Sequence, residues 1–166
     1  DSEAASRMRY YTNPRGLYPF QGNLTAYCVL RPNNLAVVDP GLGKTHLALA
    51  ASSIMIEDGL IDHALFVVEK NKLEEFQEDF ARFTSFDLNT FYGPKRVLRP
   101  SHVTLSTYST LRDSLVTANP ADDRILTLTD EAHWFRGKRL LVVCDEAAIF
   151  GGSRTSKVYR AFQAAL

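Results

Sequence analysis

The segment that most constrains this chain is Asp39-Pro40-Gly41-Leu42-Gly43-Lys44-Thr45, which lies between two apolar stretches of different kinds. Before it stands Leu35-Ala36-Val37-Val38, a short continuous apolar run that suits a strand covered on both faces. After it, Thr45 to Glu57 is rich in Ala, Leu, Ile and Met and is closed by Asp58-Gly59, which reads as a buried helix with a glycine stop. Glycines in such a turn let backbone N–H groups point inward without a clashing Cβ, and the helix start adds partial positive charge. A strand-turn-helix of this kind is suited to holding phosphates. Lys44 has the reach for the β and γ phosphates of a nucleoside triphosphate, ATP being the expected one, and the Thr45 hydroxyl is a magnesium ligand by type. One departure stands at the start of the pattern: the glycine expected with four residues intervening before Gly43-Lys44 is Val38 here. The bland alternative is a glycine-rich turn with a chance Lys-Thr.

The rest of the chain alternates strand-like and helix-like segments. Residues 1 to 16 are polar and broken by Asn13-Pro14 and Gly16, as in a loosely held lead-in; residues 17 to 166 form the expected domain. Gly22 to Leu30 suits a short helix. His63 to Val68 reads as a strand, and Asn71 as the cap of a helix from Lys72 to Phe83, with Leu73, Phe76, Phe80 and Phe83 at helical spacing. Leu88 to Tyr92 and Val103 to Ser106 are strand candidates, and Thr107 to Val116 looks helical. Thr117 to Lys138 is the least regular stretch, with a possible strand at Ile125 to Thr129. Leu140 to Cys144 is the strongest late strand, and Ser156 to Leu166 closes with a helix. Such alternation predicts an α/β fold, a parallel sheet with helices on both faces. Ligands in such sheets bind beyond the carboxyl ends of the strands.

A phosphate loop that serves hydrolysis needs an acidic partner at the end of a neighbouring strand. Two stretches offer one: Asp130-Glu131-Ala132-His133 and Asp145-Glu146-Ala147-Ala148. The strand before Asp145 is five apolar residues, Leu140 to Cys144, as a strand in mid-sheet requires. The run before Asp130 alternates with Thr, so that box suits a surface loop or peripheral strand. Asp145 is therefore expected to hold magnesium with Thr45, and Glu146 to orient the attacking water. A solvated acidic turn is the bland alternative for both.

Lys plus Arg and Asp plus Glu each number 19, which excludes a strongly basic nucleic-acid binder, so any such contact must use a local patch. Cys28 and Cys144 sit among apolar neighbours and read as small core residues; two cysteines make no disulfide framework. No apolar run approaches the roughly 20 residues of a membrane span, and the expected compartment is intracellular. The chain opens on Asp1, as a processed or partial chain would.

These segments, taken in order, resemble helicase superfamily two and, within it, the Swi/Snf-type DNA translocases. Leu17-Tyr18-Pro19-Phe20-Gln21 is similar to the opening motif, whose Gln reads adenine. Asp39 to Thr45 resembles motif I, and Leu65 to Val68 with Leu73, Phe76 and Phe80 resembles motif Ia and its helix. Val103 to Leu111 resembles motif Ib, Val142 to Ala147 motif II, and Ser153 to Lys157 with Tyr159 the segment leading to the next helix. The resemblance covers residues 17 to 162. It implies a first RecA-like lobe of an ATP hydrolase acting on double-stranded DNA, with a second RecA-like lobe as partner. Gln21, Asp39, Pro40, Gly41, Leu42, Gly43, Lys44, Thr45 and His46 would line the nucleotide, with Lys44, Asp145 and Glu146 as catalytic groups. Lys70, Asn71, Thr107 and Tyr108 would meet nucleic acid. Glu69 stands where the family often has Pro, and Ala148 where it has the His that couples hydrolysis to nucleic acid. The sequence also ends before motif III.

Several signals have simpler readings. Tyr10, Tyr11 and Tyr18 could line an adenine pocket, but loop tyrosines more often pack on the surface. His46 suits a structural role, and Trp134 with Arg136, Lys138 and Arg139 suits a surface loop more than a stacking site. The rival functions are a lone lobe that binds nucleotide and docks to a partner without turnover, and a P-loop enzyme of another class such as a small-molecule kinase.

Overall fold

The computed structural model describes residues 17–30, 43–145 and 157–166. Leu35–Val38, Asp39 to Leu42, Glu146 to Ala148 and Ser153 to Ser156 lie outside the described residues. The chain divides into two compact units, Asp1–Ile61 with Glu74–Ser85, and Asp62–Leu73 with Phe86–Leu166.

In the first unit, helix α1 (Pro19–Leu30) packs on helix α2 (Lys44–Glu57). Gln21, Gly22, Thr25, Ala26 and Val29 recur at helical spacing and form the buried face of α1. Helix α1 starts three residues before the expected Gly22, because Pro19 is tolerated in a first helical turn. Ser52 and Ser53 fit inside α2 by donating to the carbonyls of Ala48 and Leu49, both at 2.7 Å. Asp58 and Gly59 end α2 as expected, Gly59 at a φ of 68°.

The second unit is built on a parallel sheet. Strand β1 (His63–Val68) is followed by a 3₁₀ turn (Lys70–Lys72) and helix α3 (Leu73–Phe83), most of which belongs to the first unit. Asn71 therefore sits inside the 3₁₀ turn and does not cap α3, contrary to expectation; Glu69 stands before the turn, and its side chain accepts no capping hydrogen bond. Strands β2 (Leu88–Thr90) and β3 (Val103–Thr107), helix α4 (Tyr108–Leu115), strands β4 (Val116–Asn119) and β5 (Asp122–Leu128), helix α5 (Asp130–Arg136), strand β6 (Leu140–Cys144) and helix α6 (Lys157–Ala165) complete the described chain. The sheet order is β2-β3-β1-β6, all parallel, with Phe66 opposite Leu105 on one side and Val143 on the other. All six residues of β1 are buried, as a continuous apolar run in mid-sheet requires. Leu65 and Val67 join Phe91, Leu111, Leu115, Phe135 and Phe162 in one core.

Strands β4 and β5 form a separate antiparallel hairpin. This corrects the reading of Thr117 to Lys138 as irregular, and α5 corrects the placement of Asp130 in a loop or strand. Thr129 caps α5 by accepting from the Ala132 N–H, with Asp130 and Glu131 in the first turn, where the helix dipole favours acids. Cys28 and Cys144 are half-buried rather than core. Asp62 and Arg139 tie the starts of β1 and β6 together. The guanidinium grips both carboxylate oxygens, at 2.7 and 3.2 Å, and Arg139 N donates to the same carboxylate. That grip lowers the Asp62 carboxyl to about 2. Among the described residues no helix is long and apolar enough to cross a membrane.

Candidate nucleotide site

In the first unit the described part of the phosphate loop is its last glycine and the start of α2. Gly43 has φ 73° and ψ 43°, a left-handed conformation that disfavours any side chain. A Cβ at this position would also collide with the Gln21 amide nitrogen. Among the described residues no side chain caps α2, and its first turn holds no acidic residue. Thr107 and Thr129, by contrast, cap α4 and α5 with their hydroxyls. An uncapped helix start presents N–H groups and partial positive charge to an anion. Lys44, the first residue of α2, is exposed; Thr45 and His46 are half-buried. His46 lies flat on Phe83, ring centroids 3.8 Å apart and 11° between planes, which fits the structural reading of that histidine.

Gln21 is 3% exposed, and its Oε1 accepts from the Tyr18 N–H at 2.9 Å. The sequence showed Gln21 only through its place in a family motif. Its packing against Gly43 is a contact across 22 positions that no local pattern encodes. Beside it Tyr18 and Phe20 stack with centroids 6.2 Å apart at 4°, and both stand open to solvent, 68% and 43% exposed.

The second unit gathers other predicted residues at the carboxyl ends of its parallel strands. Asp145 follows β6, its N–H donating to the Val67 carbonyl at 2.9 Å, so it sits one position beyond the sheet. Lys70 and Asn71 follow β1 and are exposed. Thr107 and Tyr108 follow β3 but face inward, 2% and 5% exposed. The Thr107 hydroxyl accepts from the Thr110 N–H at 3.2 Å and donates to the Thr110 hydroxyl at 2.8 Å. The Tyr108 hydroxyl donates to the Asp145 carbonyl, and its ring stacks on Phe162 at 6.0 Å. Of the four residues expected to meet nucleic acid, only Lys70 and Asn71 present side chains at the surface. Burial pushes the Tyr108 phenol above its ordinary range, reinforced by Cys144; burial likewise pushes the Cys144 thiol up to about 11.

The rival acidic box sits elsewhere. Strand β5, which precedes Asp130, belongs to the hairpin and not to the parallel sheet. The basic and aromatic patch after it is engaged internally. Trp134 meets His63 edge-on at 5.1 Å, Lys138 lies 4.1 Å over the Trp134 ring, Arg136 donates to the Ala164 carbonyl, and Arg139 holds Asp62.

The fold is similar to that of a Sulfolobus solfataricus SWI2/SNF2 ATPase core solved in complex with double-stranded DNA. The TM-score is 0.64 at 18% identity, covering 87% of this chain and 29% of that one. The chain thus spans under a third of that relative's length. No curated protein sequence matches it. The parallel α/β fold expected from the alternation of strands and helices, and the RecA-like lobe that the resemblance implies, agree with the fold observed. A family model described as the type III restriction enzyme, res subunit, matches residues 25–165, and the chain belongs to that family, a helicase-like ATPase family.

Proposed function

We propose that this chain is the ATP-binding lobe of a DNA-dependent ATPase of the translocase kind, hydrolysing ATP to ADP and phosphate when paired with a second RecA-like lobe. The observation that carries the reading is the start of α2. Its last loop glycine is left-handed, no side chain caps the helix, and Lys44 and Thr45 open it. Thr45 and Asp145 offer a hydroxyl and a carboxylate, the hard oxygen donors that magnesium takes. Magnesium, when bound there, would supply neutralisation of the phosphate charge. Lys44 holds the γ-phosphate and offsets charge that develops on it, and Glu146 orients water for in-line attack. Asp39, Pro40, Gly41 and Leu42 are assigned to nucleotide binding with them, Gln21 lies against Gly43, and the open Tyr18 and Phe20 rings are available to a base. Lys70 and Asn71 are the surface groups available to a DNA backbone. Double-stranded DNA is the expected track because the similar SWI2/SNF2 core was solved on it. With ATP and DNA as partners, the motor belongs inside the cell.

Lys44→Ala tests the reading directly. It should abolish ATP binding measured by calorimetry with magnesium present, and equal affinity for both proteins would remove the assignment. A second reading, a lobe that holds nucleotide and docks without turnover, draws on the 29% coverage of the relative. It predicts binding without hydrolysis even in the full-length protein.

A further inference from the structure

Tyr108 was expected at a nucleic-acid surface, yet its side chain is buried and spent elsewhere. It opens α4 directly after β3, while Asp145 follows β6, and β1 lies between those two strands in the sheet. The phenol hydroxyl reaches across the end of β1 to the Asp145 carbonyl. The Val67 carbonyl, one residue before the end of the intervening β1, accepts the Asp145 N–H at 2.9 Å. The peptide groups on both sides of the Asp145 Cα are therefore fixed, one by a neighbouring strand and one by a side chain from beyond it. Fixing both leaves the carboxylate little freedom except about its own side-chain bonds.

We infer that Tyr108 is a positioning residue, holding the backbone of Asp145 so that its carboxylate meets magnesium in one orientation. The role rests on the reading of Asp145 as a magnesium ligand. Magnesium demands near-ideal octahedral geometry, so a ligand that wanders loses affinity for it disproportionately. Phe162, stacked on the Tyr108 ring, fixes the ring and not the hydroxyl, which separates packing from hydrogen bonding.

The test is ATP affinity by calorimetry, with magnesium and with chelator, for wild type, Tyr108→Phe, Asp145→Asn and Phe162→Leu. The readout is the gain in affinity that magnesium gives. Asp145→Asn should erase the gain. Tyr108→Phe should cut it about three- to tenfold, the worth of one net hydrogen bond, while chelator affinity stays unchanged. Phe162→Leu should lower the melting temperature yet keep the gain. A full gain in Tyr108→Phe beside a lost one in Asp145→Asn overturns the positioning role and leaves the site reading standing. A full gain in Asp145→Asn overturns the site reading itself. An equal loss in Phe162→Leu, or a Tyr108→Phe protein that does not fold, would assign Tyr108 to packing and overturn the inference.

Discussion

Position 43 answers to two independent demands, a left-handed backbone and the absence of a Cβ beside the Gln21 amide. Gly43→Ala meets neither. It should lower stability by about 1 to 2 kcal/mol from the backbone term alone, read as a lower urea midpoint. ATP affinity should fall with it, since the left-handed turn at the start of α2 is strained and the Gln21 amide must move aside. Unchanged stability would show that the left-handed turn is not required. The acidic boxes separate at the same scale. Glu146→Gln in the full-length enzyme should block hydrolysis and spare ATP binding, because it removes a water-orienting group and no phosphate contact. Glu131→Gln should change turnover little, since Glu131 lies in the first turn of α5, behind a hairpin strand. The opposite pattern would move the catalytic acid to the hairpin side.

Elements were most legible where their apolar runs are continuous. Strand β1 was read with its observed ends, and β6 likewise, because a continuous apolar run has no alternative fate in a parallel sheet. Helix α2 began one residue early, at Lys44. The hairpin was legible only in its second strand: β4 is four residues, Val116–Asn119, with Thr117 and Ala118 exposed, so its pairing partner defines it and not its own pattern. Helix α5 is seven residues, too short for periodicity, although Thr129 and Gly137 bracket it as caps. The helix that starts behind Gly43 was legible from its apolar run and glycine stop; the Gln21–Gly43 and Tyr108–Asp145 contacts join distant segments and leave no local trace. Strand β1 also carries a pH dependence. His63 at its start is buried, with Nδ1–H donating to the Ser101 carbonyl at 3.0 Å and Nε2 accepting from the Thr104 hydroxyl at 2.8 Å. Burial lowers its pKa from 6.5 to about 4, with Lys138 and His102 adding to the effect. The unfolded chain therefore binds a proton that the fold refuses between those values. The contribution is complete above 6.5 and is lost as pH falls towards 4, on the order of 2 kcal/mol. Asp62 adds its own loss only below 3.8, its ordinary value. Urea midpoints across this range, followed by the single Trp134 that touches His63, should fall with acidity in wild type and flatten in His63→Gln.

At the scale of the whole molecule, residues 1 to 166 alone should hydrolyse ATP very slowly, with or without duplex DNA. Phosphoryl transfer depends on positioning and on charge stabilisation, and an arginine finger is worth roughly 10³ to 10⁵ in rate. The resemblance implies that this arginine comes from the second lobe, and the chain matches 29% of its structural relative. Steady-state phosphate release near the ~10 s⁻¹ typical of enzymes would show a complete site in this chain and end the half-motor reading. The sheet order has a further consequence, for how the protein is made. Strand β1 lies between β3 and β6, and the residues that tie its start to β6, Asp62 and Arg139, are 77 positions apart. At about 5 to 20 residues per second, a ribosome takes roughly 4 to 15 s to deliver that partner. Throughout that interval β1 still lacks the partner for the edge that β6 covers. An open, apolar edge of that kind pairs with whatever strand arrives first. A chain cut short before Leu140 should therefore keep the β6-facing edge of His63 to Val68 unpaired.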